Sequence, residues 1–247
     1  MSELTVQAIV LRRRDSGESD RRLTLLTREQ GKIDAIAKGA KKSASRLAGS
    51  SDPLSMATMT LAKGKVNQFV TQAQPMSSFR GLRTDYLRLT MALGLLELFA
   101  AVLPWGEPDE ESFDLLVASL QALEKHDKPV VALVWAELKL LEMSGFLPQF
   151  DRCVNTGQIV TETPAYLSPM AGGHLASQEA IGVADRFQAK AEVLFGLARC
   201  AELHVPPPNL KFADECLFAL MPFWRNIVDQ PLPANDSLTV ELRHGHM

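Results

Sequence analysis

The hydrophobic period of the chain changes near residue 82, and that change constrains the fold more than any other feature. Before it, apolar residues alternate with others in short runs, from Leu4 to Arg13, Arg22 to Thr27, Lys32 to Lys38, Leu54 to Leu61 and Val66 to Gln72. A period of two places every second side chain on one face of a strand, so each run predicts a short β-strand. Turn residues separate the runs: Gly17 in the charged stretch Arg12 to Asp20, Gly31 between the second and third, and Lys63-Gly64-Lys65 between the fourth and fifth. Pro53 opens the fourth. Five short strands with hairpin-sized gaps and one long loop suit a small closed barrel of the OB type, with a five-stranded SH3-like barrel as the rival.

After residue 82 the period becomes helical. Tyr86, Leu89, Leu93, Leu96 and Ala100 recur at steps of three and four before Pro104, which predicts a first helix. Phe113, Leu116, Leu120 and Leu123 mark a second, from Glu110 to His126. Pro129 opens a third, with Val131, Val134, Leu138 and Leu141 as its stripe and Gly145 as its stop. An irregular stretch from Asp151 to Gln178 precedes two more predicted helices, Ile181 to Leu203 and Asn209 to Val228. The fold class expected is α+β and multidomain. A five-stranded OB-fold barrel over 1–82 is followed by an all-α helical domain in two parts, 83–150 and 181–247, around an insertion over 151–180. The last residues, Arg243 to Met247, are expected to be disordered.

Charge divides the chain at the same place. Residues 1–82 hold 14 Lys and Arg against 7 Asp and Glu, a net of +7, whereas the remainder holds 12 against 22, a net of −10. The overall net of −3 conceals a basic first domain suited to an anionic partner. Its densest basic segment is Ile36 to Leu47, IAKGAKKSASRL, where Gly39 turns the chain and Lys38, Lys41, Lys42 and Arg46 follow among small residues. With Ser43, Ala44, Ser45, Ala48, Gly49, Ser50 and Ser51 it has little to bury, so it is expected to be an exposed, mobile loop.

Other classes find little support. Cys153, Cys200 and Cys216 are far apart, and the opening MSELTVQAIV lacks the layout of a signal peptide, so a cytoplasmic location is expected. The longest apolar candidate, Leu87 to Leu103, carries Arg88 and Glu97 and falls short of a membrane span. The five histidines, His126, His174, His204, His244 and His246, form no local pattern with a nucleophile and an acid. No Walker-type phosphate loop is present. No enzyme activity and no cofactor are therefore expected.

The strand and loop residues VLRRRDSGESDRRLTLLTREQGKI and KGAKKSASRL, the helical run, and LLEMSGFLPQFDRC from Leu140 to Cys153 together resemble the RecO family of bacterial recombination mediators. The resemblance covers essentially the whole chain in order. It implies an OB fold that binds single- and double-stranded DNA and a helical domain. It also implies annealing of complementary strands and cooperation with RecR and single-stranded DNA-binding protein to load RecA. It further implies a zinc knuckle of four cysteines, from which this chain departs. Cys153 holds the first position, but Thr156, Ala176 and Glu179 stand at the other three, so no structural zinc is expected despite the retained Gly157 and Gly172-Gly173. The hydrophobic tail of single-stranded DNA-binding protein would meet the helical domain, with Arg83, Arg88, Arg186 and Arg199 as candidate cations.

Phosphate recognition needs several Lys and Arg along one groove. Candidate DNA-binding residues are Arg12, Arg13, Arg14, Lys38, Lys41, Lys42, Arg46, Lys63, Lys65 and Arg80, with Arg21 and Arg22 in reserve. Arg12 to Arg14 alternate along a strand end, so at most two share a face. Only Phe69 and Phe79 offer aromatic surface in the first 82 residues, which favours phosphate-dominated, sequence-tolerant binding. A protein scaffold whose barrel binds another protein is the alternative.

Overall fold

The computed structural model describes residues 3–161 and 163–244. They form two compact units, one up to Glu124 and one from Lys125. In the first, β1 (Glu3–Ser16), β2 (Asp20–Thr27), β3 (Gly31–Ala37), β4 (Met56–Lys63) and β5 (Gln68–Ser77) close into a barrel of order β1-β2-β3-β5-β4. β1 pairs antiparallel with β4 to complete the ring, and β3 pairs parallel with β5. The chain leaving β3 therefore crosses the barrel end before entering β4. This is the Greek-key connection of an OB fold, and it removes the SH3-like rival.

Alternation explains the barrel interior. Val6, Ala8 and Val10 of β1 point inward with Leu23 and Leu25, Ile33 and Ala35, Ala57 and Met59, and Val70. Ile9, on the opposite face of β1, is also buried, because α2 (Tyr86–Val102) packs on that strand. A register shift between Val10 and Arg12 lets β1 and β2 continue as an exposed hairpin that carries the arginines.

A short helix α1 (Arg80–Thr84) leads into α2 and then α3 (Glu110–Lys125), close to the expected bounds. The expected face of α2 is corrected. Tyr86 is exposed and Leu89 and Leu93 only half-buried, while Met91, Leu95, Leu98 and Phe99 are buried outright. A helix apolar nearly all round has no single stripe to read. Its C-terminal end is held by Lys32, whose Nζ donates to the Ala100 carbonyl at 2.8 Å and lies 4.6 Å from the Trp105 ring centroid.

The second unit holds α4 (Pro129–Met143), α5 (Ala191–Ala201), α6 (Ala213–Ile227) and α7 (Pro233–His244). Between the two helical parts, the insertion expected over 151–180 folds as strands, which reach slightly beyond it at both sides. Residues 149–189 supply a small sheet of β6 (Gln149–Cys153), β7 (Ala165–Ser168), β8 (Gly173–Leu175) and β9 (Phe187–Ala189), in the order β6-β8-β7-β9. The helix expected from Ile181 begins only at Ala191, because Gly182 takes a positive φ and Phe187 to Ala189 pair with β7. α7 was not expected. Arg243 and His244 end it, and the rest of the expected disordered tail, 245–247, lies outside the described residues. α4 packs on α5 and α6 around Glu137, a fully buried carboxyl that accepts from Trp224 Nε1 at 2.8 Å.

Candidate functional site

The basic loop between β3 and β4 is tied to the β1–β2 turn. Lys41 N donates to Ser19 O at 2.9 Å, Gly39 N donates to Asp20 Oδ1 at 2.8 Å, and Lys41 Nζ lies 3.0 Å from Asp15 Oδ2. Gly39 has a φ of 65°, so the chain turns sharply where the basic residues begin. The bond from Gly39, with that from the Ser19 hydroxyl, holds the Asp20 carboxyl below its ordinary range, and the charges of Lys38 and Lys42 act the same way. The Lys41 hydrogen bond likewise lowers Asp15.

Beyond Gly39 the loop is a succession of turns, with Lys42 N donating to Gly39 O, Ser45 N to Lys42 O and Ala48 N to Ser45 O. Ala40 and Leu47 pack into the barrel core, and Ser50, Ser51 and Leu54 are buried. Arg21 clamps the far side. Its Nη1 donates to Ala48 O at 2.9 Å and Ser51 Oγ at 2.6 Å, and pairs with Asp52 at 3.2 Å, where Arg13 also binds. The expectation of a segment with little to bury is thus corrected: small residues let this loop close one barrel end while its cations face water.

The β4–β5 turn comes beside the exit of β3 on the barrel's side, because β5 starts there with Phe69 opposite Ile36. Gly64 N donates to Asn67 O at 2.9 Å, which leaves Val66 91% exposed at the tip, between strands that carry Lys63 and Phe69. Paired positions share a sheet face, and one row runs Arg14, Arg22, Ile36, Phe69 and Ala62 across all five strands. Phe69 therefore faces outward, and Lys38 Nζ stands 4.5 Å from its ring centroid. Gly64 lies close against one edge of the ring, since a Cβ there would come within 2.7 Å of Phe69 Cε2.

The ten candidate cations divide accordingly. Arg14, Lys38, Lys41, Lys42, Arg46, Lys63 and Lys65 belong to the β1–β2 hairpin, the basic loop and the β4–β5 turn, which border the outward row from Arg14 to Ala62. Among the described residues, Arg14, Lys42, Arg46, Lys63 and Lys65 are exposed, and their side chains make no hydrogen bond or ion pair within the chain. Lys41 and Arg13 are spent on Asp15 and Asp52. Arg12 turns toward α2, with Nη2 3.5 Å from Glu97 O. Arg80 follows the exit of β5, whose last residue, Ser77, lies roughly 26 Å from Phe69 at strand rise. Arg22 pairs with Asp34 at 3.1 Å. Of the four cations suggested for the helices, Arg83 donates to Pro53 O, Arg88 to Leu123 O and Arg186 to Ala180 O, while Arg199 is exposed.

Phe69 is the site residue that sequence reasoning passed over. Its signal was the pair Phe69-Val70, of which alternation admits only one to the interior. Val70 takes that place, while Phe79, the other aromatic, is buried at the start of α1.

The residues at the former knuckle do not fit zinc. Cys153 is buried, which raises its thiol. Bonds from the Thr156 hydroxyl and from the backbone at Ala176, Thr156 and Asn155 outweigh burial and bring it below the usual range. Thr156 thus serves the sulfur as a donor where a second metal ligand would stand. His174, opposite Cys153 in the sheet, has Nδ1 3.0 Å from Tyr166 O. Among the described residues no three His, Cys, Asp or Glu side chains converge as a metal set would require. No helix among them is long and apolar enough to cross a membrane.

Comparison with known proteins places this architecture. Residues 1–79 match the family model for the N-terminal part of recombination protein O, and residues 83–217 match that for its C-terminal part. DNA repair protein RecO of Heliobacterium modesticaldum is 40% identical over 172 residues, 68% of this chain and 62% of that protein. The protein of the same name from Alkaliphilus metalliredigens is 35% identical over 192 residues, 77% of each chain, and that from Desulfitobacterium hafniense is 40% identical over 172 residues, 69% of this chain and 62% of the other. The chain therefore spans less than two thirds of some relatives' length and rather more of another's. With a closed OB barrel, a helical C-terminal part and both family models matched in order, the chain belongs to the RecO family.

Proposed function

We propose that this chain is a DNA-binding recombination mediator that acts in repair without enzyme chemistry. It binds single- and double-stranded DNA, anneals complementary strands, and assists RecA loading with RecR and single-stranded DNA-binding protein. One observation carries the reading: five exposed cations whose side chains have no internal partner among the described residues, Arg14, Lys42, Arg46, Lys63 and Lys65, lie with Lys38 around one outward row of the barrel. That surface is bordered by the β1–β2 and β4–β5 turns, through which OB folds take oligonucleotides. Paired cations such as Arg13 and Arg22 contribute less, since each would have to leave its carboxylate.

Annealing follows from the same chemistry. Cations that neutralise phosphates lower the repulsion between two strands and leave base edges free to pair. The acidic helical part that begins at residue 83 is offered to protein partners, through contacts that DNA would avoid.

The test is fluorescence anisotropy of a labelled single strand at several salt concentrations. The intact chain is compared with a quadruple change of Lys38, Lys41, Lys42 and Arg46 to Ala. Neutralising about five phosphates gives a slope of log K against log salt of roughly −3 to −4 on single strands. Binding that is steep in salt and flattens in the variant supports the reading. No binding by the folded wild-type chain at low salt overturns it in favour of a protein scaffold.

A further inference from the structure

The outward ring of Phe69 has no role in a site built only from cations. It projects from β5 beside Ile36 of β3, half-buried, with Gly64 against its edge and Lys38 Nζ over its face. Val66, 91% exposed on the adjoining turn, extends apolar surface toward solvent. An aromatic face among unpaired cations has the chemistry of a nucleotide: the π-system takes a base and the cations take its phosphates.

We propose that Phe69 is the stacking platform for one unpaired nucleobase of a bound single strand. This rests on the DNA-binding reading above and adds to it a preference for unpaired strands. Lys38 occupies the ring face when no base is present. Its ammonium rides on a flexible four-carbon stem, so an incoming base displaces it toward the phosphate of the same nucleotide. Gly64 keeps the β4–β5 turn close to the ring, because any side chain there would strike Phe69 Cε2. A duplex keeps its bases stacked on one another, so it meets only the cations. One platform per barrel fixes one base by its face and leaves neighbouring bases free, which is compatible with annealing. Any base can serve, because every base has a π-face.

The experiment compares the affinities of the intact chain, Phe69→Leu and Phe69→Tyr for three probes at one salt concentration: a deoxythymidine strand, a strand of equal length with abasic sites throughout, and a duplex. Stacking on one ring corresponds to roughly 5- to 150-fold in affinity. Expected for Phe69→Leu is a loss in that range for the thymidine strand, no change for the abasic strand or the duplex, and an unchanged salt slope. Phe69→Tyr retains a ring and stays within about twofold of wild type, since tyrosine stacks as phenylalanine does. Equal loss on all three probes, or no loss on any, overturns the platform while leaving the DNA-binding reading in place. Failure of the wild-type chain to bind any probe overturns both.

Discussion

Trp224 donates its indole hydrogen to Glu137 Oε2 at 2.8 Å, and Oε1 of the same carboxyl has no partner among the described residues. Burial pushes the Glu137 carboxyl up to about 8, with the Trp224 hydrogen bond opposing weakly. The side chain is therefore protonated at neutral pH. Between its ordinary 4.5 and about 8 the folded chain holds a proton that the unfolded chain has lost, so stability falls as pH rises through that window. The loss is on the order of 4 kcal/mol across the window. Glu137→Gln should be near-neutral in stability at pH 7 and should flatten the decline. Urea unfolding of both forms through the window checks this, and equal pH dependence in the two would exclude Glu137 as its source.

Gly31 supplies a second prediction. Its φ is 65°, and a Cβ there would lie 1.8 Å from the Glu107 carbonyl oxygen. The chain after α2 runs this close to β3 because Gly106 N donates to Lys32 O at 2.9 Å. Gly31→Ala should cost about 2–4 kcal/mol, combining a left-handed backbone with overpacking against rigid main chain. The same change at Gly17, where nothing lies within 4 Å, should cost only its backbone strain. Thermal unfolding of the two variants gives the comparison, and equal losses would refute the close contact.

The departure from the zinc knuckle is testable by metal content. With Thr156 bonded to Cys153 Sγ and no other cysteine in β6 to β9, folding should not depend on a metal. Purified chain should carry substoichiometric zinc by elemental analysis, and a chelator should leave its melting temperature unchanged. A melting temperature lowered by the chelator would show that a metal holds this sheet.

These features differ in how far the sequence disclosed them. The barrel was legible because the alternation around Val6, Ala8 and Val10 repeats along five runs, and glycines 17, 31 and 64 mark its turns. The strands β6 to β9 were not, since three to five residues are too few to establish a period. α7 was signalled by Pro233 and the pair Leu238 and Leu242, but a polar composition and a terminal position masked it. The basic loop was visible as a charge cluster. Its anchoring by Arg21, Asp20 and Leu47 depends on long-range pairing, as does the meeting of Lys38 with Phe69, which needs β3 beside β5.

The placement of cations separates residues that composition treats alike. Lys63 and Lys65 flank the turn beside Phe69, whereas Arg80 follows the far end of β5, though all three are exposed and without internal partners among the described residues. If phosphates are held along the row bearing Phe69, changing Lys63 and Lys65 together to Ala should remove about two contacts. On a single strand the salt slope should then become shallower by about 1.4, and affinity should fall about tenfold or more at moderate salt. Arg80→Ala should leave the slope unaltered. Anisotropy titrations of the two variants over a range of salt decide it. An Arg80 effect as large as that of the lysine pair would extend the phosphate track to the exit of β5.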